Sequence, residues 1–172
     1  ALQAGDVDSF PNYPAPETVA QFQNDPRFRV VIGSTEGETI LAMNNGKPPL
    51  DNVKVREAIA HAIDRQAIID GAMFGFGTPI GTFMSPANPD YVDLTAQSNY
   101  DPEKSKALLA EAGIKDLTLS LKLPPVEGYA RRGGEIIANQ LAAVGIKTET
   151  TNLEWAQWLS EVFTDKNYDL TI

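Results

Sequence analysis

The sequence predicts an α/β lobe, a parallel-rich sheet with helices on both faces, and three observations predict it. From residue 117 onward the apolar pattern switches regularly between the periods of strand and helix: a strand over 117–123, a helix over 131–144, a strand over 146–150, a helix over 153–165 and a strand over 168–172. Helices of that length return the chain to the same edge of the sheet, so successive strands run parallel through right-handed crossovers. Glycine followed by an apolar residue, Gly113-Ile114 and Gly145-Ile146, ends a helix before each of two of these strands. With 42% hydrophobic residues in 172, the chain has enough apolar material for a core.

Ahead of residue 117 the elements are shorter. Residues 1–4 with Gly5 form the last turn of a helix and its glycine stop. Asp6-Val7-Asp8-Ser9-Phe10 alternates like a short strand, and Pro11, Pro14 and Pro16 punctuate the next segment. Pro16 suits the first position of a small helix over 17–22, with Glu17 at its positive end. Residues 28–32 and 39–44 are strand-like, separated by Gly33 and Gly37, and either pair with one another or pass through a hinge. Gly46-Lys47-Pro48-Pro49-Leu50-Asp51-Asn52 is a rigid turn ending in capping residues; Val55, Ala58, Ile59, Ala62 and Ile63 then share one helical face. Asp64 caps a second short helix to about Met73. Residues 71–89 carry no charge but hold four glycines and three prolines, which makes them a long loop rather than a membrane span. Asp101-Pro102-Glu103 opens the next helix, whose stripe is Leu108, Leu109 and Ala112.

Composition excludes several functions. Fourteen Lys and Arg against 23 Asp and Glu give a net charge of −9, so a general basic field for nucleic acid is absent. Without cysteine there is no disulfide framework, thiolate nucleophile or Cys-ligated metal. The glycines of 75–81 miss the dinucleotide spacing, and Gly133-Gly134 lacks the flanking Lys-Ser/Thr of a phosphate loop and instead permits close helix packing. His61, the one imidazole, falls on the helical wheel with Lys54, Glu57 and Arg65 and is expected on a solvated face. Asp6/Asp8, Asp64/Asp70 and Asp90/Asp93 are pairs of the kind glycosidases use, but such pairs arise by chance among 23 acids. No metal-ligand spacing is present, and no cofactor is expected. Residues 1–4 have neither the charged nor the apolar region of a secretory signal, and the chain reads as a piece of something longer.

Two stretches carry a family resemblance. The first, 47–69, runs Lys47-Pro48-Pro49-Leu50-Asp51-Asn52-Val53-Lys54-Val55-Arg56-Glu57-Ala58-Ile59; the second is Tyr100-Asp101-Pro102-Glu103-Lys104-Ser105-Lys106-Ala107-Leu108-Leu109-Ala110-Glu111-Ala112-Gly113. Both resemble the extracytoplasmic solute-binding proteins of ABC transporters, in the peptide/nickel family that includes dipeptide- and oligopeptide-binding proteins. Ala1-Leu2-Gln3-Ala4-Gly5-Asp6-Val7-Asp8, Ile40-Leu41-Ala42-Met43-Asn44, Gln140–Ile146 as a stretch, and Trp155 fit in order, so the resemblance covers essentially the whole chain. It implies one lobe of a type II periplasmic-binding-protein-like fold, with 1–38 as a hinge-crossing segment and remnant of the first lobe and 39–172 as the second, ligand-closing lobe. It further implies a non-enzymic, monomeric receptor outside the cytoplasm, in the periplasm or lipid-anchored, capturing peptides or a similar small polar solute for an inner-membrane permease. Nickel, through a chelate, is a family possibility for which this chain offers only His61. A sensor module on the same lobe and an α/β hydrolase are the alternatives from other classes.

Such a lobe presents strand ends and the loops after them to a cleft. Those loops are 124–130 and the region around 82–85. Tyr129, Arg131 and Arg132 gather at the first: Arg131 could clamp a carboxylate with its planar fork, and Tyr129 could stack or donate a hydrogen bond. The other reading makes both arginines solvated residues at a helix start. Phe83 and Met84 could cover an apolar ligand part or pack on the lobe, and Asn44 could face the cleft or satisfy backbone near the hinge. Trp155, Leu159 and Val162 share helical spacing and are expected in the core, with Trp158 partly exposed.

Overall fold

The computed structural model describes residues 1–13 and 15–172; Pro14, one of the predicted punctuation points, lies outside them. The chain forms two compact units, Ala1–Gly33 and Ser34–Ile172. In the first, Gly5 stands at φ +80° and its N–H bonds to the Leu2 carbonyl, so the glycine stop is real but closes a turn rather than a helix. Pro16–Thr18 makes a 3₁₀ turn that runs into helix α1, Val19–Gln23. Phe22 on α1 is buried between Tyr13 and Phe28, with edge-on ring separations of 5.4 and 5.2 Å, and Phe10 joins the row through Tyr13. Neither 6–10 nor 28–32 forms the expected strand. Phe10 and Phe28 give their rings to this aromatic row, Val31 and Ile32 stay exposed, and no described segment supplies either stretch with a ladder.

The second unit is built on a four-stranded sheet: β1 (Ala42–Met43), β2 (Leu117–Leu123), β3 (Ile146–Asn152) and β4 (Leu170–Thr171), in the order β1-β4-β2-β3. β2 runs parallel to β3 along its whole length, from Leu117 opposite Ile146 to Leu123 opposite Asn152, and parallel to β4; only β1 is antiparallel. The strand expected over 39–44 shortens to two residues because only Ala42 and Met43 find partners, Thr171 and Leu170.

Capping fixes where the helices begin. Asn52 accepts from the Lys54 N–H to start α2 (Val53–Ala62), Asp64 from Ala67 to start α3 (Arg65–Met73), and Asp101 from Lys104 to start α4 (Pro102–Glu111), with bonds of 2.9–3.0 Å. After β2 a π-helical turn, Glu127–Arg132, leads into α5 (Gly133–Ala143); after β3 come α6 (Trp155–Trp158) and a π-helical continuation, Leu159–Thr164. Among the described residues no helix is long and apolar enough to cross a membrane.

Period-two alternation sorts β2 between two layers. Leu117, Leu119, Leu121 and Leu123 are buried and pack with Val55, Ile59, Leu109, Ile137 and Leu141 from α2, α4 and α5. Lys122, on the opposite face, reaches Glu161 of the π-helical segment at 2.6 Å, and the Trp158 indole N–H donates to Thr171 of β4 at 3.0 Å. Helices therefore cover both faces, as the alternation of elements predicts.

Asp169, just before β4, ties that strand to β2 and to the turn at Lys47. One carboxylate oxygen accepts from the Ser120 N–H and hydroxyl at 2.7 and 2.8 Å, and the other meets Lys47 at 2.8 Å. Burial acts to raise its pKa, but the Lys47 ammonium and the two Ser120 donors outweigh burial and hold it below the ordinary carboxylate value.

Two expectations are corrected. His61 is 3% exposed, not solvated: residues 99–101 lie across that face of α2, with its Nδ1 donating to the Asn99 carbonyl at 2.7 Å and its own carbonyl accepting from the Asp101 N–H. Of the predicted core triplet in 153–165, only Val162 is buried, while Trp155 and Leu159 are each 49% exposed. The backbone widens from α to π winding at Leu159, so the 3.6-residue spacing that put these three on one face does not hold there.

Candidate functional site

The carboxyl ends of the parallel strands converge on one edge of the second unit. After β2 the chain turns at once: the Arg131 N–H bonds back to the Val126 carbonyl, five residues earlier, and this wide turn swings Tyr129 out beside Pro124. α5 can start directly against β2 because residue 134 is glycine; a Cβ there would come within 2.4 Å of Leu123 Cδ1. After β3 the Leu153 N–H still bonds to the Leu123 carbonyl, which sets α6 beside the β2 loop.

These segments and residues 37–40 enclose an open concavity of about 380 Å³, lined by Glu38, Ile40, Tyr129, Trp155, Trp158 and Ile172. Its apolar walls are held in place. The two indoles meet edge to face at 5.8 Å, and Thr171 Oγ1, which accepts from the Trp158 N–H, donates its own O–H to the Lys122 carbonyl at 2.6 Å. Trp158 is thereby tied to β4 and β2 by its polar edge, leaving its faces for other groups. A second concavity of about 420 Å³ lies between α5 and β3, with Arg131, Glu135, Asn139, Thr150 and Asn152 on its walls.

The structure does not bring the sequence-predicted residues together. Tyr129 lines the first concavity and Arg131 the second, while Arg132 places its guanidinium over the Phe74 ring at 5.3 Å. Neighbouring positions on a helical turn fan out, so 129, 131 and 132 point three ways. Arg131 has a buried Nε with no hydrogen-bond partner among the described residues, and its nearest carboxylate oxygen, on Glu127, is 3.9 Å from Nη1. Phe83, 81% exposed, and Met84 stand on the loop between α3 and α4 and line neither concavity. That loop is pinned at Gly81, where a Cβ would meet the Leu94 and Thr95 backbone at 2.4 Å. Asn44 is engaged by backbone: its amide donates to the Lys166 and Tyr168 carbonyls at 2.9 and 3.1 Å and its oxygen accepts from the Gly46 N–H.

Sequence reasoning missed Glu38, Ile40, Trp155 and Trp158. A signal existed for the tryptophans: they sit three residues apart just past a strand end, where a parallel sheet places its ligands. None existed for Glu38, which reaches the site from far away in sequence. Among the described residues no group of three or more His, Asp and Glu could hold a metal ion.

Comparison with known proteins agrees with this architecture. Residues 1–172 match the profile of the bacterial extracellular solute-binding proteins, family 5, middle region. The chain belongs to this family. It is 34% identical over 164 residues to heme-binding protein A of Haemophilus influenzae, covering 91% of this chain and 29% of that protein. It is also 34% identical over 163 residues to the dipeptide-binding protein of Escherichia coli K12, covering 92% and 30%. Among solved structures, HbpA2 from Haemophilus parasuis superposes with a TM-score of 0.73 at 31% identity, over 99% of this chain and 34% of that one. This family-5 chain thus spans about 30% of the length of the curated relatives it matches.

Proposed function

We propose that this chain is part of the solute receptor of an ABC importer, working outside the cytoplasm and capturing a peptide or a similar small polar solute. The observation that carries the reading is the aromatic concavity at the carboxyl ends of the parallel strands, the place where open α/β sheets present ligands, in a chain of this family. The names of two relatives, a heme-binding and a dipeptide-binding protein, support a capture role and a ligand small enough for one cleft. Residues 1–38 would cross the hinge and 39–172 would form the second lobe, which closes over the ligand and then meets a membrane permease.

In this reading the chain binds and releases without covalent chemistry. Tyr129 stacks on or hydrogen-bonds to the solute in the first concavity. Arg131, its Nε unsatisfied by the protein, supplies a planar fork for a carboxylate in the second. Arg132 stiffens the same turn through Phe74, and Phe83 with Met84 covers an apolar part of the solute once the lobes close.

The test is calorimetry of the intact receptor against di- and oligopeptides and their amidated forms. Peptide binding is expected, with Arg131→Gln weakening free-carboxylate peptides by about tenfold, as loss of one charge-assisted bond implies, and sparing the amides. Absence of binding to every peptide, or turnover of one, would overturn the reading.

A further inference from the structure

Deepening the receptor reading, on which it rests, we infer that Phe74 is a positioning residue: held in a left-handed backbone conformation at the end of α3, its ring fixes Arg132, and through Arg132 the turn that carries Tyr129 and Arg131. The backbone gives the first observation. α3 closes where the Gly75 N–H bonds to the Ile69 carbonyl, six residues back, at 3.1 Å. A helix that ends this way sends the residue before the donor into the left-handed region, where glycine is the usual occupant because a β-carbon crowds the carbonyl. Here Phe74 takes that place, at φ +55° and ψ +37°, and Gly75 comes one position too late. Among the described residues only Lys166 shares such a backbone without being glycine. Burial does not account for the phenylalanine, which is 47% exposed. Its ring instead lies under the Arg132 guanidinium, 5.3 Å from the centroid, within the range of a cation–π contact. Backbone strain of this kind persists where the surroundings demand it, and it gathers at functional sites.

The turn gives the second observation. Glu127–Arg132 starts without a side-chain cap, and the Arg131 N–H closes it on the Val126 carbonyl at 2.9 Å. Its footing is the end of α3: a Cβ on Gly128 would lie 3.5 Å from Met73 Sδ, and one on Gly133 would lie 3.7 Å from Ile68 Cγ2. Arg132 follows Arg131 directly and stands three residues after Tyr129, so holding its guanidinium sets the rotation of the turn and the directions of both. A ring does this without adding a carboxylate that would compete for Arg131.

The experiment measures hydrogen–deuterium exchange by mass spectrometry in the intact receptor, comparing the segment 127–132 with β2 over 117–123, alongside urea denaturation. Phe74→Leu keeps the left-handed β-carbon but loses the ring. The 127–132 segment should then exchange about threefold faster, the size of a cation–π contact at an exposed site, while β2 is unchanged. Phe74→Tyr, which keeps the ring face, should restore slow exchange. Phe74→Gly should be the more stable of the two ringless variants, with a folded-to-unfolded ratio at least about threefold above that of Phe74→Leu, and should still exchange fast in the turn. A residue that only stabilised the fold would make exchange follow stability. Wild-type exchange of 127–132 in Phe74→Leu, slow exchange in Phe74→Gly, or equal stability of the Leu and Gly variants would overturn the inference. These outcomes are independent of ligand: if the wild-type receptor binds no peptide in calorimetry, the receptor reading falls, and with it the purpose assigned to the turn. If it binds peptides, Phe74→Leu should weaken them and Phe74→Tyr should not; unchanged affinity in Phe74→Leu would overturn the inference and leave the receptor reading standing.

Discussion

α5 and α6 follow adjacent parallel strands, yet they are made for different tasks. α5 buries Gly133, Gly134, Ile137 and Leu141 and is locked against β2. α6 with its π-helical continuation buries only Val162 and leaves Trp155, Leu159 and Phe163, at four-residue intervals, largely open to solvent. The contrast shows where this fold puts its packing and where it leaves apolar surface open: one crossover completes the core, and the other leaves rings exposed at the strand ends.

The comparison can be broken by mutation. Leu141→Ala, which empties a fully buried site in the α5 layer, should lower unfolding free energy by about 2–5 kcal/mol in urea denaturation. Gly134→Ala should cost about 1–3 kcal/mol, because the new methyl must displace Leu123 from a packed core, and it should also disturb the turn that carries Tyr129. Asp169→Asn should cost about 1–3 kcal/mol by weakening the charged bonds to Lys47 and Ser120. Since the Asp169 pKa is lowered in the folded state, its contribution is present above the unfolded value of about 3.9 and is lost as pH falls through the folded value. Urea midpoints measured from pH 6 downward should therefore fall less steeply in the Asn variant. Leu159→Ala, on the open face, should change stability by no more than about 0.5 kcal/mol. A loss at Leu159 comparable with that at Leu141 would erase the distinction between the two helices.

Much of the fold is legible in the sequence where local chemistry is sufficient. β2 announces itself by strict alternation of leucine with polar residues, and Asn52, Asp64 and Asp101 mark their helix starts by their own side-chain bonds. Legibility ends where a partner distant in sequence decides. Residues 28–32 have strand composition but no ladder, and His61 has polar wheel neighbours but is covered by residues 99–101. Of the candidate site, the β2 loop and Tyr129 follow from strand-end logic, whereas the separation of buried Val162 from exposed Trp155 and Leu159 goes with a change of helical winding that periodicity alone does not encode.

Everything rests on the ring-lined hollow at the strand ends being where solute docks. The sharpest check is fluorine NMR of intact receptor carrying 5-fluorotryptophan, observed before and after adding a ligand whose binding calorimetry has established. The account predicts that the resonances of Trp155 and Trp158, assigned by single Trp→Phe variants, both shift on saturation. Tight binding that leaves both resonances in place would contradict it.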